Sequence, residues 1–104
     1  MLDKNKAREI AYQYASEIQK ILSPQAVILF GSYVNGSPHE HSDIDIAVVV
    51  RDFKGDWLET WAQLFELREH ISFDIEPHMM DEADDKSGFL EHVKKTGEAI
   101  FVAA

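Results

Sequence analysis

Residues Ala26 to Val50 read AVILFGSYVNGSPHEHSDIDIAVVV, and the fold turns on this stretch. Its first five residues, Ala26-Val27-Ile28-Leu29-Phe30, are a short apolar run that predicts a buried strand. Gly31-Ser32 end the run, where the backbone must turn. Ten residues later, Asp43-Ile44-Asp45 lead straight into Ile46-Ala47-Val48-Val49-Val50, a second strand with an apolar half. An apolar strand that opens with two carboxylates on one face is inconsistent as pure structure. Such inconsistencies collect at functional sites.

Side chains at i and i+2 of a strand share a face, about 6.6 Å apart. Asp43 and Asp45 therefore point one way, and Ile44 and Ile46 the other. If the two strands are antiparallel, Gly31-Ser32 lie beside Asp43. Gly31 has no side chain, so an anion can approach its backbone closely. Ser32 offers a hydroxyl and an N–H at the start of a short helical turn, a favourable place for phosphate. Two carboxylates beside a phosphate repel it by about 4 kcal/mol per charge pair at ~4 Å and an effective dielectric of ~20. Divalent cations remove that conflict, and Mg²⁺ prefers carboxylate and phosphate oxygens.

Outward from this centre, the order of elements predicts an α/β (α+β) fold of type αβ(α)βαβαβ, a mixed β-sheet with helices packed against it. Residues 3 to 22 read as a helix with Asp3 as N-cap and Ala7, Ala11, Tyr14, Ile18, Ile21 and Leu22 on one face. Ser23-Pro24 end it. Gly36, Ser37 and Pro38 form a turn cluster, and His39-Glu40-His41 match no zinc spacing and read as a solvated loop. Asp56 caps a helix from Trp57 to about His70, whose Trp57, Leu58, Trp61, Leu64, Phe65 and Arg68 predict a face covering the sheet. A partner surface is the minority reading of those two tryptophans. Ile71 to Pro77 alternate, with Ser72, Asp74 and Glu76 on the polar face, and the helical crossover permits a parallel pair with the second strand. Asp81 to Asp85 read as a solvated acidic run. Ser87 is expected to cap a helix, Gly88 to Lys95, with Phe89, Leu90 and Val93 inward, before a terminal strand from Glu98 to Val102.

The chain has 104 residues, enough for a single domain spanning 1–104. The net charge of −9 argues against direct nucleic-acid binding, which needs a basic surface. It permits a metal-bound nucleotide and invites a basic protein partner. No cysteine is present and no apolar run approaches a membrane span, so the expected location is cytoplasmic, with no membrane contact.

Gly31-Ser32, ten residues, then Asp43-Ile44-Asp45 resembles the nucleotidyltransferase superfamily that includes DNA polymerase beta and kanamycin nucleotidyltransferase. Gly36 and Ser42 also stand where small members of that family have them. The resemblance implies a third carboxylate on a neighbouring strand in an apolar-Asp-apolar context, which selects Asp74, with Glu76 as an auxiliary. It implies catalytic and metal-binding roles for Asp43, Asp45 and Asp74, two Mg²⁺ ions, and nucleotide contacts from Gly31, Ser32 and Ser42. Asp74 would act as general base on an acceptor hydroxyl. Many relatives carry Arg just after Gly-Ser, where this chain has Tyr33. Phosphate charge must then be met by metal, by backbone N–H groups, or by cations from elsewhere. The chain is most similar in plan to the minimal nucleotidyltransferases (MNT), antitoxins that transfer AMP from ATP to a tyrosine of a helical HEPN-type ribonuclease toxin. Two alternatives stay open: the catalytic subunit of a two-chain enzyme modifying a small molecule such as an aminoglycoside-like antibiotic, and a non-catalytic nucleotide-binding docking module.

Overall fold

The computed structural model describes residues 3–35 and 43–104. Gly36, Ser42 and the His39-Glu40-His41 segment lie outside the described residues. Helix α1 spans Lys4–Ile18, strand β1 Ala26–Phe30, the one-turn helix α2 Ser32–Asn35 and strand β2 Ile44–Val50. Helix α3 (Trp57–Leu67) runs into a 3₁₀ turn at Arg68–His70, followed by β3 (Ile75–Asp81), α4 (Phe89–Thr96) and β4 (Glu98–Val102). The four strands form one mixed sheet in the order β3-β2-β1-β4. β1 pairs antiparallel with both β2 and β4, and β2 pairs parallel with β3 across the α3 crossover.

Alternation along the strands divides the sheet into two unlike faces. Val27 and Leu29 of β1, Ile44, Ile46 and Val48 of β2 and Ile75 of β3 bury against α1 and Leu64 of α3. Asp3 caps α1 by accepting from the Lys6 N–H. Ala7, Ile10, Ala11, Tyr14, Ala15 and Ile18 form the buried stripe of that helix. The helix is shorter than expected: after Ile18 the N–H groups of Lys20 and Ile21 bond three residues back, and Ile21 turns out to solvent. Tyr14 donates its hydroxyl to the Leu64 carbonyl, tying α1 to α3, and burial pushes its phenol well above the usual tyrosine range.

The opposite face is only half covered. α4 sets Leu90 and Val93 on Ala26, Ile28, Ala47 and Val49, with Phe30 and Met80 at the margin. The end of the face carrying Asp45 and Glu76 has no helix over it among the described residues. Asp85, expected in a solvated acidic run, caps α4 by accepting from the N–H groups of Leu90 and Glu91, while Ser87 accepts only from Phe89. Asp81 is likewise occupied, taking the N–H groups of Asp52, Phe53 and Ala83.

Two expectations about the α3–β3 unit need correction. The strand expected over 71–77 begins only at Ile75 and continues to Asp81. Residues 68–74 are turns instead, closed by Ile71 and Ser72 N–H bonds to the Arg68 carbonyl, and Phe73 is 68% exposed. Nor does α3 lay a broad face on the sheet. Leu64 is its one buried residue, and Leu58 is 71% exposed. The helix instead flanks the sheet edge. β3 is an edge strand, which tolerates Pro77 and leaves carbonyls without a neighbouring strand. Trp61 Nε1–H donates to the Pro77 carbonyl at 3.1 Å, and Arg68 Nη1 donates to that of Ile75 at 3.0 Å.

Candidate active site

Strand register assembles the site. β1 and β2 pair with Phe30 opposite Asp45, and β2 and β3 pair with Asp45 opposite Glu76. Phe30, Asp45 and Glu76 therefore form one row across three strands on the half-covered face. Neighbouring strands lie about 4.8 Å apart, so the two carboxylates stand side by side. His78, two residues along β3 and so on the same face, completes the group. One donor atom each from Asp45, Glu76 and His78 lies within 4.8 Å of the others.

Gly31 fixes the floor of the site. Its φ is +83°, a left-handed conformation that glycine adopts without steric cost. A Cβ built there would also overlap Asp45 Oδ2. The expectation was an open backbone for an anion; the space a side chain would fill is held by the carboxylate of Asp45. Ser32 follows as the first residue of α2, whose turn is closed by the Val34 and Asn35 N–H groups on the Gly31 carbonyl. Tyr33 is buried and packs into the α1 core.

Asp45 points its other oxygen at β3, where Oδ1 lies 3.1 Å from His78 Nε2. The imidazole leans edge-on against Phe30, ring centroids 5.2 Å apart, and Phe30 in turn meets Phe89 of α4 at 5.9 Å. Ala47, paired with His78 across β2 and β3, is small enough to leave that diagonal contact open. Both Asp45 and His78 keep about a quarter to a third of their side-chain surface in solvent (26% and 33%), so ligands can reach them.

Asp43 precedes β2 and is exposed. Its carboxylate shares a hydrogen bond with Glu76, and this contact is the main reason the Glu76 carboxyl titrates above the usual range. Desolvation and the negative charges of Asp43 and Asp45 push the same way, and His78 opposes them. The structure thus brings Asp45, Glu76 and His78 together beside Gly31, with Asp43 next to Glu76. Asp74 is placed differently. It lies in the turn before β3 with its side chain exposed, outside the cluster of Asp45, Glu76 and His78. Its main chain closes the ladder, its carbonyl accepting from Ile44 N–H at 2.8 Å. The neighbouring-strand carboxylate that faces Asp45 is Glu76, and His78 was not foreseen at all.

A divalent cation fits this donor set. Oxygen and nitrogen atoms within 4.8 Å of one another can be spanned by one ion at about 2.0–2.6 Å from each. It would also relieve the mutual repulsion that raises Glu76. A cavity of about 460 Å³ lies elsewhere, at the far end of β3 between Trp57, Met80 and Phe89. Of its carboxylates, Asp81 and Asp85 already hold backbone N–H groups, so the row at Asp45 is the better seat for chemistry.

The family model described as "Polymerase beta, Nucleotidyltransferase" matches residues 5–103. No curated protein matches the chain. Among solved structures, a Sulfolobus solfataricus protein assigned as a nucleotidyltransferase superposes with a TM-score of 0.66 at 21% identity, covering 92% of this chain and 80% of that one. A toxin–antitoxin structure with AMP-PNP gives 0.64 at 24% identity, over 88% of this chain and 73% of its own. A tri-AMPylated Shewanella oneidensis HEPN toxin in complex with its MNT antitoxin gives 0.60 at 20% identity, over 92% and 73%. At these identities the likeness is one of fold. The αβαβαβαβ order and mixed four-stranded sheet are those of nucleotidyltransferases.

Proposed function

The chain belongs to the polymerase beta nucleotidyltransferase family, and from that premise we propose that it transfers AMP from ATP to a hydroxyl of a partner protein. The proposed partner is a helical HEPN-type ribonuclease toxin, for which the chain would serve as antitoxin. The observation that carries the reading is the register placing Asp45 between Gly31-Ser32 and Glu76. The AMP-PNP complex and the AMPylated toxin among the structural relatives support the choice of nucleotide and acceptor.

In this reading Asp43, Asp45 and Glu76 would hold Mg²⁺, two ions in the fullest form. When bound, Mg²⁺ neutralises phosphate oxygens and makes an acceptor hydroxyl easier to deprotonate. The remaining tasks fall to the chain. Ser32 donates its hydroxyl to a phosphate oxygen beside the Gly31 turn, with Ser42 as a second nucleotide contact. Glu76, the β3 carboxylate opposite Asp45, takes the role of general base that the resemblance implies for Asp74. The acceptor oxygen attacks the α-phosphorus in line, its proton passes to Glu76, and the bond to the bridging oxygen breaks to release pyrophosphate. Positioning and charge neutralisation supply most of the acceleration in such transfers.

Labelled ATP, Mg²⁺ and the candidate toxin, read by mass spectrometry of the toxin, test this directly. An added AMP mass is expected with wild type and none with Asp45→Asn. Exposed Leu58, Trp61 and Phe73 favour a docking contribution as well. If the toxin is silenced with no mass added, the chain acts as a docking module instead of an enzyme.

A further inference from the structure

We propose that His78 is a metal ligand of this site, so that the position it shares with Asp45 and Glu76 selects Mn²⁺ over Mg²⁺. The inference rests on the nucleotidyltransferase reading for the site's purpose, but its evidence is the local geometry. A site built for Mg²⁺ needs only oxygen donors, and Asp43, Asp45 and Glu76 already supply them. Here an imidazole nitrogen points into the same space, its Nε2 3.1 Å from Asp45 Oδ1. Two donors in adjacent positions around an octahedral ion, each about 2.1 Å from it, lie about 3 Å apart. The pair is thus already at the spacing of neighbouring ligands, and a cation can replace the shared hydrogen bond with little side-chain movement.

The imidazole is also held in that direction. Phe30 packs edge-on against its ring, and Phe89 backs Phe30. The parity of β3 puts Glu76 and His78 on one face, where one donor atom of each already lies within 4.8 Å of one from Asp45. A carboxylate–carboxylate–imidazole set binds first-row transition ions more strongly than Mg²⁺, and Mn²⁺ among them keeps the affinity for phosphate oxygens that nucleotide transfer needs.

The alternative role is that His78 merely donates a hydrogen bond that orients Asp45. Glutamine at this position separates the two, because its amide N–H can donate to Asp45 Oδ1 but binds Mn²⁺ poorly. The experiment titrates MnCl₂ and MgCl₂ into the nucleotide-free full chain by calorimetry, and records pulsed electron spin resonance of bound Mn²⁺. Wild type is expected to bind Mn²⁺ at least tenfold more tightly than Mg²⁺ and to show coupling to a ¹⁴N nucleus. His78→Gln should lose the ¹⁴N coupling and about tenfold or more in Mn²⁺ affinity, since even outer-sphere partners of a metal site cost 10–100-fold. Mg²⁺ affinity should stay within about twofold, which also reports an intact fold. Absence of ¹⁴N coupling in wild type, or unchanged Mn²⁺ affinity in His78→Gln, overturns the proposal and leaves the nucleotidyltransferase reading standing. Mn²⁺ binding that survives Asp45→Asn overturns both.

Discussion

Replacing Glu76 by Gln and, separately, Asp74 by Asn asks which carboxylate, that of β3 or that of the turn before it, would perform the proposed chemistry. Glu76 stands opposite Asp45 in the parallel ladder and shares a hydrogen bond with Asp43, whereas the Asp74 side chain faces solvent from a turn. Transfer to the partner should fall about 10²–10⁴-fold in Glu76→Gln, the usual cost of losing a general base. In Asp74→Asn it should change by less than about threefold, since an exposed turn carboxylate outside the donor cluster stabilises no charge in the reaction.

The same pair of variants reads out in stability. Carboxylates on adjacent strands, about 5 Å apart, repel by about 0.8 kcal/mol in water and by about four times that at an effective dielectric of ~20. Glu76 keeps contact with solvent, so the lower figure applies. Without metal, Glu76→Gln should therefore raise the melting temperature by about 4 °C or more at pH 7. The sign with pH follows from a folded-state pKa raised above the unfolded one. The native state holds the extra proton, and wild-type stability declines as pH rises out of the ordinary glutamate range near ~4.3. The gain from Glu76→Gln should be full at pH 7 and vanish below about pH 4. Differential scanning fluorimetry in EDTA and mass spectrometry of the partner measure both effects. Full transfer by Glu76→Gln together with loss in Asp74→Asn would refute the assignment and return the role to Asp74.

Gly31→Ala should destabilise the protein by about 1–3 kcal/mol, since it combines a left-handed residue with overlap on the Asp45 carboxylate, and chemical denaturation measures it. Mg²⁺ affinity should fall with it, because Asp45 must move; unchanged affinity would mean the carboxylate is not a ligand. ATP affinity measured by calorimetry should collapse in EDTA, because the 33–42 segment contains no Arg or Lys to meet the triphosphate. Asp81→Asn should lower the melting temperature at neutral pH, because one of the two oxygens that together accept three backbone N–H groups becomes an NH2 that cannot accept. Those bonds, with that of Phe53 foremost, hold the Asp81 carboxyl below its usual range. Its contribution is present above the unfolded value near ~3.9 and is lost as pH falls through the lower folded one, so wild type and variant should converge in acid.

The parts of this site that were legible in the sequence are those specified locally. Gly31-Ser32 closes one strand, Asp43-Ile44-Asp45 opens the next, and their antiparallel pairing follows from a short connection. The third strand was harder for a physical reason. Ile71, Phe73 and Ile75 alternate as a strand would, yet Arg68 gathers the N–H groups of Ile71 and Ser72 into a turn and leaves Phe73 in solvent. Pro77 argued for stopping there, whereas an edge strand has no neighbour to miss its N–H. Asp74 and Glu76 also share parity, so alternation could not choose between them. Only the register with β2 could, and register in a parallel pair depends on packing across the α3 crossover. The usable signal was further along: Glu76 and His78, two polar groups at i and i+2 amid Ile75, Pro77 and Met79, mark a face with work other than burial. Helix α3 misled in the opposite direction, because its Trp61 and the Arg68 of the turn after it serve the edge carbonyls of β3 rather than the core.

The half-covered sheet face leaves room for the proposed chemistry. Burial of Val27, Leu29, Ile44, Ile46 and Ile75 on the α1 side fixes β1, β2 and β3 in one register, because a one-residue slip would turn every apolar side chain outward. That register in turn fixes Asp45 against Glu76 without any contact designed at the site itself. α4 needs to cover only Ala26, Ile28, Ala47 and Val49 to anchor the second face, which frees the strand ends at Gly31 and Asp45 for ligands. With a net charge of −9 and no Arg or Lys in the 33–42 segment after Ser32, bound metal, backbone N–H groups and cations from elsewhere, a basic partner surface among them, would have to meet a triphosphate. A basic acceptor protein should therefore raise ATP affinity on docking, and raised salt should weaken that coupling within a Debye length of about 8–10 Å. Calorimetric titration of ATP into the complex and into the chain alone, at 0.05 and 0.5 M salt, measures it; equal affinities at low salt would show that the partner supplies no charge to the site.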